Sequence, residues 1–194
     1  PITVPPTAPP TEPPVTQPLT PPVPTPPTIQ PPVQTPQDNI TASHAFIYQC
    51  STGTYLFTKG DMNDRIYPAS ITKLFTALVA LKYLTPDQTV TAGDALYTVP
   101  NDSSRAFLQI GDVLTVEQLI YGMLLPSGND AARVLAAAAG RIIAGNEPLS
   151  ARDAMEVFVG EMNNQTAAMG LTATHFVTPD GVHNSEHYTS MADL

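Results

Sequence analysis

The sequence has little of what several classes of protein require. It contains one cysteine and eight basic residues among 194, and its apolar runs are too short to span a membrane. Cys50 cannot form an intrachain disulfide, and we expect its thiol to be buried in a strand. Seventeen acidic residues give a net charge of −9, and there is no basic patch, so nucleic acid is not an expected partner.

Proline is concentrated at the amino-terminal end of the chain. Residues 1–37 hold 16 of the 22 prolines and a single charged residue, Glu12. Such a composition cannot bury a core and is typical of an extended polyproline II linker, which we interpret as a spacer. Residues 38–194 have the composition of one globular domain. The chain begins with proline rather than methionine, so we expect an export segment or membrane anchor upstream of it.

The hydrophobic pattern of the domain predicts a mixed α/β fold. Two apolar segments, residues 45–50 and 54–58, flank a Ser-Thr-Gly turn and predict a β-hairpin. Helical periodicity predicts four helices, over residues 70–83, 115–124, 129–144 and 151–169. The apolar face of the first helix consists of Ile71, Leu74, Phe75, Leu78 and Leu81. That of the fourth consists of Met155, Phe158, Val159, Met162 and Ala168.

Ser70 and Lys73 stand at the start of the first predicted helix. Residues three apart share a face of a helix, so the Lys73 ammonium should lie near the Ser70 hydroxyl. A serine becomes a nucleophile when a neighbouring base takes its proton, and a lysine can be that base once its pKa is lowered. The helix N-terminus also favours negative charge developing there. The alternative interpretation is a capping serine followed by an exposed lysine.

A second polar motif, Ser127-Gly-Asn129, follows Pro126, where an apolar segment ends, and precedes an alanine-rich helix. Ser127 and Asn129 are therefore expected in a tight connection between two helices. Such a connection can present a hydroxyl and a carboxamide to a cleft while both helices stay packed. The alternative is an ordinary helix N-cap, where serine and asparagine are common.

The two motifs, in this order and spacing, resemble the first two signatures of the penicillin-binding serine peptidases. The surrounding sequence is similar to the low-molecular-weight D-alanyl-D-alanine carboxypeptidases in four blocks, residues 68–74, 111–119, 170–181 and 187–194. The resemblance runs from about Ala45 to the last residue. It implies a β-lactamase/DD-peptidase-like fold, in which helices flank an antiparallel sheet.

The resemblance also implies a function and roles for four residues. The enzyme would be a serine-type D-Ala-D-Ala carboxypeptidase acting on peptidoglycan stem peptides through an acyl-enzyme on Ser70, with no cofactor or metal. Lys73 would be the general base, and Ser127 would relay a proton to the leaving amine. Asn129 would bind the substrate amide and help to orient Lys73. Penicillins and other β-lactams would acylate Ser70, and the enzyme would work outside the cytoplasm, at the cell wall or the outer face of the membrane.

One signature of the resembled family is missing. Its K-[ST]-G motif should follow Ser127, but the lysines of this chain are Lys59, Lys73 and Lys82. We therefore expect the chain to be an amino-terminal fragment of a longer enzyme, truncated before the carboxyl-terminal strands of the sheet and inactive by itself. Two alternatives stay open. One is a non-catalytic wall-associated module on a proline-rich stalk, and the other is a class A β-lactamase-like hydrolase.

Two further patterns compete with this interpretation. His183-x-x-Glu186-His187 matches the H-x-x-E-H pattern of some zinc peptidases, which needs both histidines on one helix face. The Pro-Asp-Gly before it and the Asn-Ser within it are typical of a loop, so we expect no zinc site. Glu161 is a candidate for the deacylating glutamate of class A β-lactamases, but it falls inside a predicted helix, and we expect a solvated helix charge.

Overall fold

The computed structural model describes residues 40–145 and 148–194. Within these ranges the chain forms four α-helices and two antiparallel two-stranded sheets, which confirms the predicted α/β class. The proline-rich stretch predicted as an extended linker, residues 1–37, lies outside the described residues. Among the helices that are described, none is both long and apolar enough to cross a membrane.

The predicted hairpin is present. Strands β1 (Ala45–Gln49) and β2 (Thr54–Lys59) pair antiparallel across a short turn. Cys50 follows β1 in that turn and is exposed, so the prediction of a buried strand thiol is wrong. The strand ends one residue before the cysteine, and its last three residues are themselves exposed, so neither face of this end of the hairpin could bury the thiol.

A second ladder joins β3 (Thr89–Thr91) to β4 (Val113–Thr115). Between these two strands the chain makes a 3₁₀ helix over Asp94–Thr98 and then a loop that leads to β4. This ladder and loop carry the chain into the helix that precedes the Ser127 motif.

The four helices lie close to their predicted positions. They are α1 (Thr72–Ala80), α2 (Val116–Leu124), α3 (Asn129–Ala144) and α4 (Ala151–Met169). The first is shorter than predicted, because residues 69–71 wind as a 3₁₀ turn before it. Capping defines two of the starts, since the Thr115 hydroxyl accepts from the Gln118 amide and the Ser150 hydroxyl accepts from the Asp153 amide.

Helix α3 lies at the centre of the core. Five of its seven alanines are buried, and it packs against α1, α2 and α4. Small side chains allow α4 to approach closely: a Cβ added at Gly140 would lie 1.9 Å from the Ala154 carbonyl oxygen. The alanine-rich sequence of α3 therefore reflects close helix packing on several sides.

The predicted apolar face of the first helix is mostly exposed, contrary to the usual expectation for an amphipathic helix. Four of its residues are 45–60% exposed, namely Ile71, Leu74, Leu78 and Leu81. The side of α1 that faces the core carries Thr72, Lys73, Thr76, Ala77, Val79 and Ala80 instead. The hairpin also leaves Ile47 and Leu56 exposed. We define these exposed side chains of α1 and the hairpin as the open apolar face.

The close approach of α3 and α4 gives a test of the core. Gly140→Ala should lower the free energy of unfolding by about 1–3 kcal/mol, because its methyl group overlaps the Ala154 backbone. Gly160→Ala is the matched control, since nothing lies within 4 Å of its added Cβ. That substitution should stabilise α4 by about 0.5–1 kcal/mol through helix propensity. Denaturant unfolding of the complete protein measures both values, and equal effects would contradict this packing.

Candidate active site

Three polar side chains from two distant parts of the chain meet at one point. Lys73 Nζ donates to Ser70 Oγ at 3.0 Å and to Ser127 Oγ at 3.3 Å. Ser127 Oγ lies 2.9 Å from Ser70 Oγ and donates to it. The three atoms therefore form a closed triangle of hydrogen bonds. The structure brings together three of the four predicted site residues and excludes the alternative of an exposed lysine.

The Lys73 amine is buried, and within residues 40–145 and 148–194 no carboxylate forms an ion pair with it. Its side chain is among the largest fully buried ones, and the residue is 1% exposed. Its third hydrogen bond goes to the Asp180 carbonyl oxygen at 2.8 Å. Burial lowers the pKa of Lys73 below its ordinary value, and the nearby Asp180 charge opposes this shift only in part. Three acceptors match the three N–H groups of an ammonium, and a neutral amine keeps the same three contacts when the Ser70 hydroxyl donates to its lone pair.

The segment that supplies the Asp180 carbonyl is held tightly against α1. The Thr76 hydroxyl donates to the Pro179 carbonyl at 2.6 Å. Gly181 has a φ of +80°, and a Cβ added there would lie 1.9 Å from the Ala69 carbonyl oxygen. Only glycine fits this contact, because both the backbone conformation and the space exclude a side chain. The Pro-Asp-Gly turn is thereby fixed next to the residue that precedes Ser70.

The Asp180 carboxylate forms an ion pair with a residue of another helix, Arg133. Arg133 on α3 donates from Nε to Asp180 Oδ2 at 2.6 Å, and the carboxylate is fully buried. A second nitrogen of Arg133 donates to the Thr98 carbonyl. Because the carboxylate has its own cation, the Asp180 backbone oxygen can hold Lys73 while little negative charge reaches the amine. The sequence analysis missed both Asp180 and Arg133.

Two residues of the site have backbones in the left-handed region. Ala69, directly before Ser70, has a φ of +47°, and Ser127 has a φ of +60°. Non-glycine residues seldom adopt this conformation, and its cost is typical of sites where a side chain must point in one direction. Here the strained residues set the direction of the Ser70 hydroxyl, which follows Ala69, and of the Ser127 hydroxyl.

Asn129 is the fourth predicted site residue, and it lies at the first position of α3. It is 7% exposed, and its backbone N–H donates to the Ser104 carbonyl at 2.9 Å. Within the described residues its carboxamide makes no hydrogen bond to Lys73, whose partners are Ser70, Ser127 and Asp180. No direct contact therefore supports the prediction that Asn129 orients Lys73. The contact to Lys73 is made by the Asp180 carbonyl instead.

The H-x-x-E-H pattern forms a loop, in which His187 has a structural contact. Backbone N–H groups of Val177 and Thr178 donate to His187 Nδ1 at 3.1 and 3.3 Å. Since Nδ1 accepts, we assign the proton to Nε2, which lies 2.8 Å from the Thr72 hydroxyl on α1. Across residues 40–145 and 148–194, no three histidine, cysteine, aspartate or glutamate side chains are placed to hold a metal.

Glu161 lies on α4, away from the triangle of Ser70, Lys73 and Ser127. Its carboxylate accepts from the Tyr83 hydroxyl at 2.7 Å and from the Gln165 amide at 2.6 Å. The Tyr83 hydrogen bond is the main reason that the pKa of Glu161 is lowered. The carboxylate is therefore anchored to neighbouring side chains, not simply solvated.

The buried imidazole gives a prediction about stability and pH. Burial lowers the pKa of His187 below 6.5, so the ring is neutral in the folded protein while the unfolded chain binds a proton more readily. Its contribution to stability is fully present above pH 6.5 and is lost as pH falls towards the lowered pKa. His187→Gln should therefore be less stable than wild type by about 1–3 kcal/mol at pH 8, and by less at pH 5.

Thermal unfolding of the complete protein across this pH range measures the difference. His183→Gln is the control, because His183 is exposed, and it should change stability little at any pH. A His187→Gln difference that stays constant from pH 5 to pH 8 would contradict the neutral, buried ring.

Known proteins are similar to this chain in both sequence and fold. It is 38% identical to a D-alanyl-D-alanine carboxypeptidase of a Streptomyces species, over 80% of this chain and 52% of that protein. It is 31% identical to the D-alanyl-D-alanine carboxypeptidase DacF of Bacillus subtilis, over 79% of this chain and 37% of DacF. The chain thus spans about half, or less, of the length of these relatives.

Solved structures agree with the sequence comparisons. The crystal structure of a Streptomyces DD-transpeptidase superimposes with a TM-score of 0.71 and 36% identity, covering 83% of this chain and 60% of that one. The carboxypeptidase DacD of Francisella tularensis superimposes with a TM-score of 0.67 and 28% identity. These neighbours confirm the predicted DD-peptidase-like fold. Residues 31–194 match the family description as a continuous stretch, and the chain belongs to the D-alanyl-D-alanine carboxypeptidase family.

Proposed function

We propose that this chain carries the nucleophile of a serine-type D-alanyl-D-alanine carboxypeptidase that acts on peptidoglycan stem peptides. The observation that supports this most directly is the closed triangle of Ser70, Lys73 and Ser127, with the lysine buried and its pKa lowered. Membership of the D-alanyl-D-alanine carboxypeptidase family and the names of the relatives agree with it. No step requires a cofactor.

In the first step, Ser70 Oγ attacks the carbonyl carbon of the penultimate D-alanine. The Ser70 proton passes to the lone pair of neutral Lys73, which lies 3.0 Å away. The new C–O bond converts the carbonyl to a tetrahedral oxyanion. The backbone N–H of Ser70, at the start of the nucleophile helix, donates to this oxyanion.

In the second step, the tetrahedral intermediate collapses and the amide C–N bond breaks. The proton held by Lys73 moves through the Ser127 hydroxyl to the leaving nitrogen, since Ser127 Oγ lies 3.3 Å from the amine. Free D-alanine departs and leaves an ester on Ser70. Water then attacks this ester, with Lys73 again taking a proton, and releases the shortened peptide. Asn129, next to Ser127, binds the substrate amide.

We infer that activity needs polypeptide beyond these residues. The sequence has no K-[ST]-G motif after Ser127 to form the opposite wall of the cleft and a second oxyanion donor. The open apolar face of α1 and the hairpin is the surface on which additional strands of the sheet would pack. The chain covers only 60% of the Streptomyces DD-transpeptidase, which supports the same inference.

The proposed substrate determines where the protein works. Peptidoglycan lies outside the cytoplasmic membrane, so we propose an exported protein at the cell wall or on the outer face of the cytoplasmic membrane. There it would take part in peptidoglycan biosynthesis and in determining cell shape. The proline-rich residues 1–37 would then be a spacer between an anchor and the domain. β-Lactams would be covalent inhibitors, because they present an amide that Ser70 can open.

The nucleophile can be tested with a labelled penicillin. The complete protein, as its gene encodes it, should bind the label covalently and hold it for minutes or longer, and Ser70→Ala should abolish labelling because no acyl ester can form. Ser51→Ala, in the exposed hairpin turn, is the matched control and should label like wild type.

The same experiment separates the alternative functions. Absence of labelling in the wild type would favour a non-catalytic wall-associated module. Rapid turnover of the penicillin would favour a β-lactamase-like hydrolase. Labelling of Ser70→Ala at the wild-type level would contradict the assignment of the nucleophile.

The need for further polypeptide can be tested on the described domain. A protein containing residues 38–194 alone should be poorly soluble and should not hydrolyse a D-alanyl-D-alanine peptide, because the open apolar face is uncovered and one wall of the cleft is absent. Amide exchange and peptide hydrolysis measure the two properties. A well-protected, active domain would overturn this inference.

A further inference from the structure

Three non-glycine residues of the described chain have a left-handed backbone, and their positions are not random. Ala69 and Ser127 belong to the triangle of hydrogen bonds or stand next to it, with φ values of +47° and +60°. The third is Phe107, with a φ of +62°. For a bulky residue this conformation is an outlier that the surrounding structure must enforce. Phe107 therefore needs an explanation of the same kind as the other two.

A buried carboxylate enforces the conformation of Phe107. Asp130 on α3 is 1% exposed, and its Oδ1 accepts from the Ala106 N–H at 2.8 Å while its Oδ2 accepts from the Leu108 N–H at 3.1 Å. Both backbone neighbours of Phe107 are thus bonded to one carboxylate. No cation lies within 4 Å of Asp130 in the described part of the chain, although Oδ1 also accepts from the Ala131 N–H.

The bonded loop lies against the Ser127 motif. A Cβ added at Gly128 would lie 2.9 Å from the Ala106 nitrogen, and the Asn129 N–H donates to the Ser104 carbonyl at 2.9 Å. Phe107 directly follows Ala106, and consecutive Cα atoms are about 3.8 Å apart. Its backbone therefore lies roughly 8 Å, or two such spacings, from the Ser127–Asn129 connection. The backbone of Phe107 therefore lies close to the Ser127 motif of the candidate active site.

Packing explains the two flanking residues, since Ala106 and Leu108 lie against the core, but it does not explain the Phe107 side chain, which is 78% exposed. The loop that the buried carboxylate holds thus leaves an aromatic ring in solvent near the Ser127 motif. An aromatic ring in this position gains free energy when an apolar group covers it.

We propose that Phe107 is a specificity-determining residue, which forms an apolar wall for the acyl side of the substrate. The group that it would contact is an apolar side chain on the acyl donor, close to the amide that Ser70 attacks. Asp130 is the positioning residue that holds the loop. This inference rests on the proposed acylation of Ser70 and adds the chemistry of the group that is recognised.

Two penicillins that differ only in their side chain test the proposal on the complete protein. One carries a phenylacetyl group and the other an acetyl group on the same nucleus. Phe107→Gly removes the ring and accepts the positive φ without strain, so the variant should fold. It should lower the second-order rate of acylation by the phenylacetyl compound about tenfold, and that by the acetyl compound less than about twofold.

Tyr97→Ala is the matched control. Tyr97 is 79% exposed, similar to Phe107, but it lines a separate cavity with Arg133 and Arg152, and its loss should change neither rate. Phe107→Leu keeps an apolar side chain and should retain most of the preference for the phenylacetyl group. Asp130→Asn weakens the hydrogen bonds to the loop and should reduce the preference for the phenylacetyl compound. It should slow acylation by the acetyl compound less than acylation by the phenylacetyl compound.

The outcomes separate the inference from the function on which it rests. If the wild type is acylated but Phe107→Gly slows both penicillins equally, or neither, the proposed wall is wrong while the acyl-enzyme stands. If neither penicillin acylates the wild type, the proposed function fails and the inference fails with it.

Discussion

The buried amine of Lys73 constrains the rest of this site, because an ammonium with no carboxylate partner is costly to remove from water. The fold meets this constraint with two hydroxyls and one backbone carbonyl, and a hydroxyl can donate to the lone pair once the amine is neutral. The nearby Asp180 carboxylate is bonded to Arg133 rather than to Lys73. The same features that make the amine difficult to bury therefore lower the pKa of Lys73 and favour its role as a base.

The need to hold this amine explains why the inner face of α1 is polar. Within two turns, Thr72 bonds to the His187 ring, Lys73 to the Asp180 carbonyl and Thr76 to the Pro179 carbonyl. These contacts attach the nucleophile helix to one loop segment, residues 177–187, and α3 carries both Arg133 and the Ser127 motif at its start. The leucines of α1, Leu74 and Leu78, consequently lie on the opposite side, in the open apolar face, whereas its buried apolar residues are the smaller Ala77, Val79 and Ala80.

Sequence reasoning succeeded where local periodicity decides the geometry. The spacing of Ser70 and Lys73, the hairpin and the four helices follow from patterns of a few residues. It failed where distant segments meet. The Asp180 carbonyl is 107 positions from Lys73, and no periodicity marks a backbone oxygen in a loop. The pattern of α1 showed that the helix has two faces, but not that its polar side would face the core. Cys50 was misplaced because the sequence does not show that this end of the hairpin is exposed on both faces.

The protonation state of Lys73 is the property on which the account depends most. Nuclear magnetic resonance of the labelled Lys73 side chain in the complete protein, assigned by comparison with Lys73→Arg, would follow its titration directly. The account predicts a midpoint clearly below 10.5, the ordinary lysine value, reached while the protein is still folded. A midpoint at or above 10.5 would contradict the role of Lys73 as the base that activates Ser70.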